Sequence, residues 1–162
     1  MNNKDSINQN YYRLPRLDQI TDVGLYLEQT AKFINRYLIQ FDQAELTTSM
    51  ISNYVKLKLS PNPHKKQYSN IHIAILLFIS LSKSVLSLDD IRFLLSFYKS
   101  DNDFITFYDN FCEKLEQTIH DIFNDGIVNL NTKEEDKLVD SLVLTIAQKI
   151  YLDKYIHLKR HS

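Results

Sequence analysis

Apolar residues recur along this chain at the three- and four-residue steps of amphipathic helices. After Asp22, a plausible N-cap, come Val23, Leu27, Ala31, Ile34, Leu38 and Phe41, which predicts one helix of about twenty residues. Thr47 or Thr48 can cap a short helix over 48–58 whose inner face is Ile51, Tyr54 and Val55. Residues 70–86 are apolar nearly all round, the pattern of a buried central helix. Ser87, three residues before Asp90, caps a helix over 87–100. Phe104, Tyr108, Phe111, Leu115, Ile119 and Ile122 mark a longer helix that stops at Asn124-Asp125-Gly126. Thr132 and Glu135 form a capping box ahead of Val139, Leu142, Ile146 and Ile150. The segment 14–20 reads as an extended lead-in, and 59–68, with Pro61 and Pro63, as a small hairpin or loop.

Composition sharpens this to an all-α fold. Two glycines and three prolines in 162 residues leave too few turn formers for sandwiches, barrels or doubly wound sheets. Gly24 and Gly126 are too far apart to build a phosphate-cradling loop. A single cysteine suits a reducing compartment. The polar opening thirteen residues predict a disordered tail and no secretory leader. The longest apolar run, Ile73–Ile79, is too short to cross a bilayer. A soluble, cytoplasmic protein without membrane association is expected.

The net charge of −1 conceals a pattern. Residues 1–45 carry five Lys/Arg against six carboxylates, and 89–162 carry nine against fourteen. Residues 46–88 carry Lys56, Lys58, Lys65, Lys66 and Lys83 and no carboxylate. A buried helix accounts for part of that stretch, but 46–70 alone still holds four lysines and no acid. Phosphates attract such a surface, and carboxylates on it would repel them. On the short helix Ser49, Ser52, Asn53 and Lys56 fall opposite the apolar face, side chains suited to base edges and phosphates in a major groove. Lys58, His64, Lys65 and Lys66 continue the basic character into the following loop.

The order of elements resembles the winged helix-turn-helix of the MerR superfamily. The matching residues are Tyr54, Leu59 and Pro61, then Lys66-Gln67-Tyr68, Ile75–Ile79, and Ser87-Leu88-Asp89-Asp90-Ile91 with Leu94 and Leu95. Ser52, Lys58 and Lys66 stand where that pattern has Arg, Gly and Arg. More closely, Leu14-Pro15-Arg16, Leu25–Gln29, Leu46–Lys56 and Pro63–Ser69 are similar to a YkrK-like domain-of-unknown-function family of Gram-positive bacteria. The resemblances imply a winged domain over 14–100, with a recognition helix at 48–58 and a wing at 59–68. A helical pair over 101–162 would follow, for dimerisation or an effector. Its apolar stripes suit a dimer interface or packing on each other within one chain.

Other chemistry is poorly supported. His157 and His161 share a helix face without a third ligand, and Cys112 reads as a packing residue. His72 reads as a satisfied boundary histidine, and Glu134, Glu135 and Asp136 as first-turn acids favoured by the helix dipole. No catalytic set, metal or cofactor is expected, so the protein is read as no enzyme. The expectation is a transcription regulator that binds double-stranded DNA as a homodimer, with any small-molecule effector unknown. The alternative is a protein-interaction module on the same scaffold that no longer binds DNA.

Overall fold

The computed structural model describes residues 12–126, 128 and 133–162. Among these are six α-helices: α1 (Leu27–Leu38), α2 (Thr48–Lys56), α3 (Asn70–Ser82), α4 (Leu88–Leu95), α5 (Asp101–Asp125) and α6 (Lys137–Arg160). Short 3-10 turns cover Leu17–Gln19, Ile39–Phe41 and Glu134–Asp136. No described residue belongs to a strand; two isolated bridges, Leu25 with Tyr68 and His64 with Gln67, are the only ladder pairings there. The fold is mostly helical, and none of the described helices is long and apolar enough to cross a membrane.

The centre is α3, buried on every side from Ile73 to Ser82 as its unbroken apolar run requires. Phe78 packs edge-on against Phe107 and Phe111 of α5, with ring centroids 5.2 and 5.0 Å apart. The buried stripe of α5 meets that of α6 within the chain. Lys114 reaches Asp140 at 2.6 Å, and Phe123 meets Tyr151 with centroids 5.1 Å apart. Both residue numbers rise from one contact to the next, so α5 and α6 run in the same direction. The stripes offered by the sequence for a dimer are therefore occupied by intrachain packing.

Several expectations change. The helix predicted from Asp22 starts at Leu27, because Leu25 exchanges backbone hydrogen bonds with Tyr68 (3.0 and 2.7 Å) and stays extended. Val23 is exposed rather than part of the core stripe. The lead-in is not wholly extended: it closes a 3-10 turn at Leu17–Gln19. The helices expected over 48–58, 70–86 and 87–100 end at Lys56, Ser82 and Leu95. Of the hairpin or loop expected over 59–68, the structure shows a loop without strands, closed by a two-residue turn between His64 and Gln67. Tyr12, assigned to the loose tail, packs against Phe41 and Phe123. Arg13 donates its N–H to Gln40 (3.1 Å), while residues 1–11 of that tail and the Thr132 cap lie outside the described residues.

The segment from Leu14 to Leu17 is strapped across α5. The Leu14 and Leu17 N–H groups donate to Glu116 (2.8 Å) and Asp109 (3.0 Å). Tyr108 donates its hydroxyl proton to the Pro15 carbonyl at 2.7 Å, and Arg16 pairs with Glu116 at 2.5 Å. These bonds satisfy an extended backbone that no neighbouring strand supports.

Candidate functional site

Helix α2 is held at both ends. The Thr47 hydroxyl accepts from the Met50 N–H at 3.1 Å, as its position before the helix leads one to expect. Ahead of it, Asn35 clasps the Leu46 backbone, donating to its carbonyl (2.9 Å) and accepting from its N–H (2.8 Å). At the far end the Arg92 guanidinium donates two bonds to the Leu57 carbonyl, at 3.1 and 2.7 Å. A cation at a helix C-terminus is favoured by the dipole as well as by the bonds.

Ile51 and Tyr54 are buried beneath α2. Lys83 of the α3 terminus donates to the Tyr54 hydroxyl at 3.3 Å. Burial pushes that hydroxyl above its usual range and the Lys83 ammonium below its own. Lys83 thus supports α2 from beneath instead of joining the outward cations.

The opposite face of α2 carries the predicted residues. Ser49, Ser52, Asn53 and Lys56, with Thr48 and Leu27, line one shallow open depression. Sequence spacing finds the first four; Leu27 joins only because α1 folds against α2. The turn bearing Lys65 and Lys66 is tied to the start of α1 through the backbone pairing of Tyr68 with Leu25, two residues before Leu27.

Lys58 departs from this group. It lines a second depression, about 330 Å³, with Arg92, Lys99 and Asp101 at the start of α5. Arg92 and Lys99 are basic neighbours that the sequence reading misses, since each lies more than thirty residues downstream with no motif linking it to Lys58. His64 is exposed, and its backbone exchanges hydrogen bonds with Gln67 across the turn (3.1 and 2.9 Å). His72 is a structural residue. Its Nδ1 accepts from the Ser69 N–H (3.1 Å), which leaves the Nε2 proton for the Asn62 carbonyl (3.0 Å).

The backbone beneath the lysines is unusual. Among the described non-glycine residues, four have positive φ: Asp42 and the lysines Lys58 (59°), Lys65 (48°) and Lys66 (65°). Lys58 closes α2 in a Schellman arrangement, with Leu59 N–H bonded to the Tyr54 carbonyl and its own N–H to that of Val55. Glycine is the usual residue there. Lys65 and Lys66 fill a two-residue hairpin turn with both φ positive, a position pair that favours Asn-Gly. Each lysine costs on the order of 1 kcal/mol relative to the residue its backbone prefers.

None of Lys56, Lys58, Lys65 and Lys66 pairs with a carboxylate among the described residues. All four are exposed, and only Lys58 lies beside the acidic C-terminal third, in the depression that Asp101 also lines. Elsewhere, Cys112 is fully buried, and no three His, Cys, Asp or Glu residues gather as a metal set among the described residues. Residues 15–111 match the family described as Domain of unknown function (DUF1836), which takes in α1–α4 and the first half of α5. No curated protein and no solved structure matches the chain.

Proposed function

We propose that this chain, which belongs to the family described as Domain of unknown function (DUF1836), binds double-stranded DNA and regulates transcription. Helix α2 enters the major groove and offers Ser49, Ser52 and Asn53 to base edges. Lys56, Lys65 and Lys66, with His64, contact phosphates beside it, and Lys58 contacts the backbone from the neighbouring depression. A helix-turn-helix reader of this kind ordinarily works as a two-fold pair, one copy on each half-site.

One observation carries this reading: three unpaired lysines occupy backbone positions where glycine or asparagine is more stable. Their positive charge is what a phosphate-binding surface uses, and the backbone gains nothing from it. Outward charge that no carboxylate pairs is also what counterion release requires.

The second reading, a protein-interaction module, draws support from two features. The wing is a bare turn with no strands, and Ser52 stands in α2 where the MerR-like pattern carries arginine.

Salt dependence separates them. Affinity for a short random-sequence duplex is measured over a range of salt concentrations with the full chain and with Lys65→Asn/Lys66→Gly. Removing two phosphate contacts should flatten the log–log slope by about 1.8. Lys65→Arg/Lys66→Arg should keep the slope. A duplex that does not bind at low salt, or an unchanged slope in the Asn-Gly variant, favours the interaction module.

A further inference from the structure

Most large apolar side chains exposed among the described residues lie on or beside α4 and α6: Phe93, Phe97, Leu138, Leu152, Tyr155 and Ile156. Leu138, Phe93 and Phe97 border a groove of about 340 Å³ between the two helices, with Ser141 and Thr145 on its α6 side. Along α6 the outward positions Leu138, Ser141, Thr145, Gln148, Leu152 and Tyr155 are all exposed and follow steps of 3, 4, 3, 4 and 3. That is the seam spacing of two packed helices. It lies away from Val139, Leu142, Val143, Ile146 and Ile150, which face the core. The seam is apolar at its ends and small or polar in its middle. Thr145, near that middle, already gives its hydroxyl proton to the Ser141 carbonyl within the helix (2.7 Å).

The charges at the two ends are opposite. Glu134 and Glu135 precede α6, while Lys159 and Arg160 end it. Glu134 pairs with Lys137 but remains largely exposed. A surface whose one end is acidic and whose other end is basic complements a copy of itself turned end for end.

We propose that two copies of this chain pair antiparallel through the exposed seam of α6. A two-fold axis between Thr145 and Gln148 sets Leu138 against the partner's Tyr155, Ser141 against the partner's Leu152, and Thr145 against the partner's Gln148. The same register brings Glu134 beside the partner's Lys159. Phe93 and Phe97 flank Leu138 and cover the far end of the partner's helix. The contact is isologous, so it closes at two copies and forms no fibre. It uses the outer face of α6 and leaves the intrachain packing of α5 and α6 as it is. Nothing in it depends on what α2 touches.

Sedimentation equilibrium of the full chain, without nucleic acid, tests the pairing. The chain should be dimeric at micromolar concentration, and Leu152→Glu, an exposed position, should raise the dissociation constant at least about tenfold while thermal melting stays cooperative. Lys159→Glu should weaken the dimer, and adding Glu134→Lys should restore it. A chain carrying both Ser141→Cys and Leu152→Cys should oxidise to a covalent dimer, whereas neither single variant should. Those two positions are about 16 Å apart on one helix and cannot bridge within a chain. A monomeric wild type, a Leu152→Glu dimer as tight as wild type, or a double-cysteine chain that fails to cross-link overturns the proposal.

Discussion

At the scale of single residues, the lysines at positive φ set stability against function. Asn-Gly in place of Lys65-Lys66 fits a turn with both φ positive without the steric contact between Cβ and backbone. The Lys65→Asn/Lys66→Gly variant should therefore unfold at higher denaturant, by up to about 1 kcal/mol, although glycine also enlarges the unfolded ensemble. The same variant should bind duplex more weakly. Urea unfolding and duplex titration on one preparation give both signs together. A loss of stability in the variant would mean that the turn is held by its lysine side chains. Gly24 presents the reverse case. A Cβ there would lie 2.7 Å from the Gln67 Cβ, too close for either backbone to stay in place. Gly24→Ala should cost about 1–3 kcal/mol and separate Leu25 from Tyr68, so that the amides of Leu25 and Tyr68 exchange faster with solvent.

At the scale of elements, α2 is nine residues long and too short to be stable alone, so its orientation depends on what holds its ends. Arg92 is the tie at the C-terminal end. Arg92→Ala should cost about 1 kcal/mol and speed amide exchange in the last turn of α2. Arg92→Lys should recover only part of this, because a point charge lacks the planar fork that makes two bonds to one carbonyl. Such ties mark the boundary of what sequence periodicity reveals. Helices α3, α4 and α5 were legible because an all-round apolar run, Ser87, and the four-three spacing ending at Gly126 are local signals, and the structure realises each. The start of α1 was not, because a long-range backbone pairing with Tyr68 overrides local periodicity from Asp22 to Tyr26. Ser49, Ser52, Asn53 and Lys56 were legible as one face of α2. Their grouping with Leu27, and that of Lys58 with Arg92 and Lys99, depends on tertiary packing that leaves no mark at any fixed spacing. Nor does residue type announce positive φ when the residue is lysine.

At the scale of the whole molecule, the Leu14–Leu17 strap joins the start of the described chain to α5, and three titratable groups report on that junction. Burial pushes the Cys112 thiol from 9.0 up to about 12, against smaller opposing effects of the Tyr108 contact and Arg16. Burial, with a lesser part from Asp42, pushes the Tyr12 hydroxyl from 10.0 to about 12. Burial raises the Tyr108 hydroxyl well above its ordinary value as well. In each case the folded protein holds the proton more tightly than the unfolded chain. For Cys112 and Tyr12 the contribution to stability is thus fully present below pH 9 and is lost as pH rises toward about 12. Each group changes stability by at most about 1.4 kcal/mol per pH unit within its window. Lys83 acts with the opposite sign, since burial lowers its folded value below 10.5 and its unfavourable charge disappears as pH rises. Cys112→Ser separates these effects because serine keeps a hydroxyl beside Tyr108 and does not ionise. Between pH 9 and 10 the unfolded thiol titrates before the unfolded tyrosines, so the wild type should lose stability over that interval more steeply than the variant. Above pH 10 the two slopes should stay apart, because the folded thiol keeps its proton until about pH 12, while tyrosine and Lys83 titrate in both. Urea midpoints at closely spaced pH values measure the difference. Equal slopes between pH 9 and 10 would place the folded thiol near its ordinary value and rule out a close-packed junction around Cys112.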